Sequence, residues 1–201
     1  MKNLHAGKRA FILGNGPGLD LYNLKKLENE ITFGANLIYR RFVPDYYVVC
    51  NPTVLDQFRD YIVDQFEPKR RKFIDLEYDF GPLFFNTDPD GPFHQGWTVT
   101  FVSLQLAFIM GFETIYLIGV NHDYGTIDGN PNEKKVYDRE PGRHARGLGY
   151  GGGDWDLPDL DRSYLAYKLA AEIYKNDGRS IFIVPPTTLD LFPKVTYDEI
   201  I

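Results

Sequence analysis

Three glycines at alternate positions, Gly14-Asn15-Gly16-Pro17-Gly18, follow directly on an apolar run, Phe11-Ile12-Leu13. Such an elbow lets the backbone turn sharply and bring its N–H groups close to a ligand. Pro17 has no N–H and a φ suited to the first turn of a helix. A helix starting there points its positive end at the elbow, which favours phosphate. The elbow therefore predicts phosphate or nucleotide binding, although a plain strand-to-helix turn uses the same residues. It is not the dinucleotide fingerprint: the third glycine comes one residue early, at Gly18. The next strand, Ile31-Thr32-Phe33-Gly34-Ala35, ends at Asn36, where a NAD site carries Asp or Glu. No Gly-Lys-Ser/Thr is present, so this is no Walker loop.

Asparagine recurs where strands end. Asn15 follows the first strand, Asn36 the second, Asn51 the third, and Asn121 the apolar strand Ile115–Val120. An amide both donates and accepts, so these residues could read ribose hydroxyls, base edges or sugars; turn capping is the alternative. Among the histidines His5, His94, His122 and His144, two stand near these ends. His122 adjoins the strand 115–120 and His144 lies in a long loop. A neutral imidazole, with an ordinary pKa of about 6.5, could take a proton from an acceptor hydroxyl. Asp123 and the Asp154-Trp155-Asp156 pair could hold Mg²⁺ between carboxylates and phosphates. Lys134, Lys135, Arg143 and Arg146 share that loop, where they either close over phosphates or simply solvate it. There is no Cys/His spacing for zinc and no Gly-x-Ser-x-Gly elbow of a hydrolase.

The elements that must position these residues alternate between strand and helix. Strands are expected at Arg9–Leu13, Ile31–Ala35, Tyr46–Val49, Lys72–Leu76, Ile115–Val120 and Ser180–Val184. Helices are expected at Leu19–Leu27, Thr53–Gln65, Thr98–Met110 and from Asp159 or Asp161 to about Asn176. Gly111 and Gly178 mark the ends of the last two. Tyr78 to Trp97 reads as loop. The near-continuous apolar run at 115–120 predicts a strand covered on both faces at the sheet centre. The glycine-rich polar stretch from Asn121 to Pro158 predicts a lid. The alternation implies one Rossmann-like α/β domain over residues 1–201: an open, mainly parallel sheet, with helices on both faces and a long lid loop at 121–158.

Composition narrows the class. The net charge of −6 argues against nucleic acid or an anionic membrane as partner. The single cysteine, Cys50, excludes an internal disulfide and fits a reducing compartment. The first ten residues lack the apolar core of a signal peptide, and no stretch is long and apolar enough to span a bilayer. A cytoplasmic location is expected. The abundant aromatics, 14 Tyr and 15 Phe, suit base or sugar stacking and also ordinary core packing. They leave room for a homo-oligomer.

Several of these segments together resemble a known group. Gly14-Asn15-Gly16-Pro17, Asn36, Pro44-Asp45-Tyr46-Tyr47-Val48-Val49, Thr98-Val99-Thr100, Met110-Gly111-Phe112 and Leu117-Ile118-Gly119-Val120-Asn121-His122 look like the MptE-like (6-hydroxymethylpterin diphosphokinase-like) family. Leu165-Ala166-Tyr167, Asp177-Gly178-Arg179 and Phe192-Pro193 extend the likeness. The same skeleton is similar to the small bacterial sialyltransferases of lipooligosaccharide synthesis. On that resemblance Asn15, Asn36, Asn51, Thr98, Gly119 and Asn121 match nucleotide-site positions. Asn121 stands where those enzymes carry Asp, and Gly18 where they carry Ser. Tyr124 matches roughly a tyrosine that holds the leaving phosphate, and His144 lies in the region of their general base.

The resemblance implies a transferase: a glycosyltransferase using a CMP-type nucleotide-activated sugar in surface lipopolysaccharide synthesis, with a small-molecule or glycan acceptor. Gly14, Asn15, Gly16, Gly18, Asn36, Asn51, Thr98, Gly119 and Asn121 would bind the nucleotide. Tyr124 would serve the leaving phosphate, and His144 or His122 would be the base. That reading needs no tightly bound cofactor. The alternative is Mg²⁺-dependent diphosphate transfer from ATP to 6-hydroxymethyl-dihydropterin or a similar alcohol, with Asp123, Asp154 and Asp156 as metal ligands. A third reading is a non-catalytic nucleotide-binding domain.

Overall fold

In the computed structural model, residues 1–50, 71–73, 76–122 and 159–201 are described. Their strands are β1 (Arg9–Leu13), β2 (Thr32–Ala35), β3 (Tyr46–Val48), β4 (Arg71–Phe73), β5 (Tyr78–Asp79), β6 (Phe93–His94), β7 (Thr114–Ile118) and β8 (Ser180–Val184). The α-helices are α1 (Val99–Ile109), α2 (Leu160–Asn176) and α3 (Tyr197–Ile200). Six strands form one parallel sheet in the order β4-β3-β2-β1-β7-β8. This is the α/β architecture that the alternation of elements implies.

Side chains on successive strand residues point to opposite faces, and the core divides accordingly. Ala10 and Ile12 of β1, Tyr46 and Val48 of β3, and Ile115 and Leu117 of β7 meet α1 and α2 on one face. Phe11, Leu13, Tyr47 and Ile118 join a second cluster on the other. Nine of the eleven residues of α1 are buried, so this helix is apolar all round. Helix α2 buries one stripe only: Ser163, Ala166, Tyr167, Ala170 and Tyr174. The Tyr174 hydroxyl donates to the Leu104 carbonyl at 2.8 Å and ties the two helices together. Gly111 and Gly178 end them in the left-handed conformation, at φ of 86° and 73°.

Three expectations are corrected. The segment expected as one helix at 19–27 is two 3₁₀ turns, Pro17–Leu21 and Leu24–Leu27. Tyr22 between them is extended, its ring stacks on Tyr197, and its hydroxyl bonds the Pro185 carbonyl. Asn23 caps the second turn by accepting from the Lys25 N–H. Tertiary contacts of Tyr22 thus outweigh helical periodicity, and the elbow runs into a 3₁₀ turn, not an α-helix. Among the described residues the second face is covered by these 3₁₀ turns, a further one at Asn36–Arg40, and the short α3.

Strand β7 lies next to the edge strand β8; β1 and β2 occupy the centre. Its apolar run records cover on both faces, which a strand beside an edge strand also has. The stretch 78–97 holds the small parallel pair β5–β6, too short to leave a periodic signal. Asp159, not Asp161, caps α2, accepting from the Arg162 N–H at 3.0 Å. The expected helix at Thr53–Gln65 and nearly all of the lid lie outside the described residues.

Removing the α1–α2 tie tests this packing. Tyr174→Phe should cost about 1 kcal/mol, the net worth of one buried hydrogen bond. Urea denaturation would read this as a lower midpoint at unchanged slope. An unchanged midpoint would show that the tie carries no stability.

Candidate functional site at the carboxyl ends of the strands

The chain leaves β1 toward β2 and leaves β7 toward β8, so the connections diverge between neighbouring strands. Such a switch point opens a crevice outside the carboxyl ends of the sheet, where α/β proteins bind ligands. Leu13 pairs with Ile118 in register, which sets the glycine elbow directly against Gly119-Val120-Asn121.

The glycines permit that contact. A Cβ at Gly14 would lie 2.2 Å from the Gly119 carbonyl oxygen, and one at Gly16 would lie 2.5 Å from Asn121 Oδ1. Gly119 sits at φ 65°, and a Cβ there would meet Leu19 at 2.8 Å. The Gly14 N–H donates to the Ile118 carbonyl and the Gly16 N–H to the Gly119 carbonyl, both at 2.8 Å. The elbow's first use is therefore to weld two strand ends together; those two N–H groups are taken by the protein. Gly18 packs against Pro186, 3.0 Å from where a Cβ would stand.

Asparagines line the same rim. Asn15 donates through Nδ2 to the Ala35 carbonyl at 3.0 Å, bridging the ends of β1 and β2. Its Oδ1 is buried and has no hydrogen-bond partner, as is Oδ1 of Asn121. Asn36 adopts φ 53°, and its carbonyl accepts from the Tyr47 hydroxyl at 2.5 Å. Two amide oxygens thus sit buried on neighbouring strand ends, each an acceptor in need of a donor.

His122 follows at the end of β7. Its Nε2 lies 3.0 Å from Ser163 Oγ, and Ser163 Oγ donates to the Leu160 carbonyl at 3.2 Å. The Ser163 hydroxyl thus holds the His122 ring in place from the first turn of α2. The His122 backbone N–H donates to Thr188 Oγ1, and the rings of Tyr164 and Tyr167 flank the imidazole at 5.9 and 6.0 Å. Thr98 Oγ1 meets the Tyr167 hydroxyl at 3.2 Å. Burial raises the Tyr167 phenol above its ordinary pKa, against the lowering effect of hydrogen bonds to Thr100 and Thr98. Tyr167 is therefore a neutral hydrogen-bonding group at neutral pH.

The structure thus brings Gly14, Asn15, Gly16, Gly18, Asn36, Thr98, Gly119, Asn121 and His122 to one end of the sheet. Asn51, Asp123, Tyr124, His144, Asp154 and Asp156 lie outside the described residues. Among the described residues no three His, Cys, Asp or Glu side chains group as a metal site. Ser163, Tyr167, Thr187 and Thr188 were not expected in the site. Thr187 Oγ1 donates to the Val120 carbonyl at 2.9 Å, bracing the end of β7 from the segment after β8. The strand-end rule that singled out the asparagines also covers Thr187 and Thr188, which follow β8; nothing in the sequence pairs Ser163 with His122. A separate cleft of about 770 Å³ lies on the second face, crossed by the Asp20–Arg41 ion pair at 3.3 Å.

The parallel sheet and its switch point define a Rossmann-like α/β protein. Its fold is similar to that of the sialyltransferase CstII from Campylobacter jejuni, solved in complex with a substrate analogue, cytidine-5′-monophosphate. The TM-score is 0.50 at 16% identity, covering 95% of this chain and 86% of that one. No protein-family profile and no curated protein sequence matches the chain. Among the described residues no helix is long and apolar enough to cross a membrane.

Two substitutions probe the crevice itself. Gly14→Ala forces a methyl against the Gly119 backbone and should destabilise by about 1–3 kcal/mol. Asn121→Ala removes a buried acceptor without a partner, so the ligand-free protein should be as stable or slightly more so. Thermal melts of both variants check the pair; a stable Gly14→Ala protein would refute the close approach of the two loops.

Proposed function

We propose that this chain is a glycosyltransferase of the sialyltransferase-like type, using a CMP-activated sugar in surface polysaccharide synthesis. The observation that carries this reading is the pair of buried, unpartnered amide oxygens at the switch point, Asn15 Oδ1 and Asn121 Oδ1. A buried acceptor left unmade costs about 1–3 kcal/mol, so a ligand that donates to it gains that much. Ribose hydroxyls and the cytosine amino group are donors; an ionised phosphate is not. A nucleoside therefore suits this crevice better than phosphate alone. The likeness of fold to a sialyltransferase solved with cytidine-5′-monophosphate supports the same choice.

In this reading Asn15 and Asn121 grip the nucleoside, while Gly14, Gly16, Gly18 and Gly119 give it room along the welded rim. Asn36, Asn51 and Thr98 contact base or sugar. The acceptor hydroxyl attacks the anomeric carbon, whose bond to the phosphate oxygen breaks, and CMP leaves. Tyr124 and the loop cations Lys134, Lys135, Arg143 and Arg146 take up the phosphate charge. The hydroxyl proton passes to a histidine. His144 is one candidate; His122, its ring held by Ser163, is the other.

Calorimetry with CMP and ATP, each with and without Mg²⁺, is the direct test. CMP should bind without metal and ATP should not bind. Asn15→Leu and Asn121→Ala should each weaken CMP by roughly tenfold, the equivalent of 1.4 kcal/mol. ATP binding that requires Mg²⁺ would overturn this donor and favour diphosphate transfer to a pterin-type alcohol through Asp123, Asp154 and Asp156. CMP binding with no transfer to any saccharide would leave a non-catalytic nucleotide-binding domain.

The base is found separately. Of His122→Ala and His144→Ala, one should lower turnover by about 10²–10⁴-fold with CMP affinity intact. Full activity in both would remove histidine from the role.

A further inference from the structure

Trp97 stands in a conformation that bulky residues rarely adopt, at φ 57°, directly after Gly96 at φ 60°. Its indole is nonetheless 38% exposed, so the strain does not serve to bury the ring. The turn is held from beneath by a buried polar network. His94 Nδ1 accepts the Gly96 N–H at 2.9 Å, and the Thr98 N–H donates to the Gln95 carbonyl at 3.2 Å. Fully buried Gln105 donates to the His94 carbonyl at 2.8 Å and accepts from the His94 N–H at 3.3 Å. Gly96 has no alternative there, since a Cβ would lie 2.2 Å from the Phe101 ring. Backbone strain that the surroundings over-determine collects at ligand sites.

The position of this turn says what the ligand is near. Thr98 meets the Tyr167 hydroxyl, and the Tyr167 ring flanks His122. Arg162, beside Ser163 at the start of α2, holds its guanidinium 5.2 Å from the indole centre, a cation–π contact that steadies the ring. From this geometry we infer that Trp97 is the stacking platform for the saccharide ring of the acceptor. The exposed part of the ring, whose centre lies 5.2 Å from that of His94, takes the sugar's apolar C–H face. The word acceptor rests on the glycosyltransferase reading; saccharide binding at Trp97 does not.

The full chain carrying Trp155→Phe leaves Trp97 as its one tryptophan, since the sequence has two. Titration with methyl β-galactoside or with the methyl α-glycoside of N-acetylneuraminic acid should change its emission saturably. In steady-state assays Trp97→Ala should raise the acceptor KM by about tenfold, the worth of one good aromatic contact, with the donor KM unchanged. Trp97→Phe should recover most of that loss. An emission that neither saccharide moves, or that CMP moves instead, overturns the platform, as does an acceptor KM unaltered by Trp97→Ala. CMP calorimetry on the unsubstituted chain is read apart from this. No CMP binding together with a saccharide response at Trp97 would defeat the donor and leave the platform standing.

Discussion

At the carboxyl end of the sheet two loops meet that carry no side chain where they touch. Gly14 and Gly16 on one strand end and Gly119 on the next lie so near that any Cβ would collide. Two backbone hydrogen bonds at 2.8 Å hold the contact. The ends of β1 and β7 take their positions from this weld. It brings the Asn15 and Asn121 amides onto neighbouring strand ends and sets where the chain goes on to His122. The need for small residues here is steric before it is catalytic.

The two faces of the sheet do different work. One carries α1 and α2, long helices fastened to each other by the Tyr174 hydroxyl and packed over a large apolar cluster. Because α2 begins just beside the end of β7, its first turns deliver Ser163 and Tyr167 to His122. Among the described residues the other face carries 3₁₀ turns and the short α3, pinned through Tyr22, Tyr47 and Tyr197. The chemistry at the end of β7 is therefore supported from the face that carries α1 and α2.

Strand β8 and helix α2 were legible to within a residue because each has an unmixed signal. Ser180–Val184 is a largely apolar run rich in β-branched residues and closed by Pro185-Pro186, and α2 has a capping Asp159, one apolar stripe and a terminal glycine. The segment 17–27 misled for an equally physical reason. Its apolar spacing fits a helix, but Tyr22 finds better partners in Tyr197 and Pro185, far away in the chain. The strand at 115–120 was correctly read as covered on both faces and wrongly placed at the centre. Burial is written into side-chain type, whereas strand order is a property of which edges meet.

The sequence by itself determined the α/β class, the candidate residues at strand ends, and the punctuation that starts and stops α1 and α2. These depend on local periodicity, caps and turn residues, which act within a few positions of one another. Only the tertiary structure decided that the glycine elbow is spent on Gly119, and that Ser163 sets the His122 ring. It alone showed that Asn15 and Asn121 keep buried oxygens without partners. Each is a relation between residues distant in the chain, and no local pattern encodes the distance at which two strand ends come to rest.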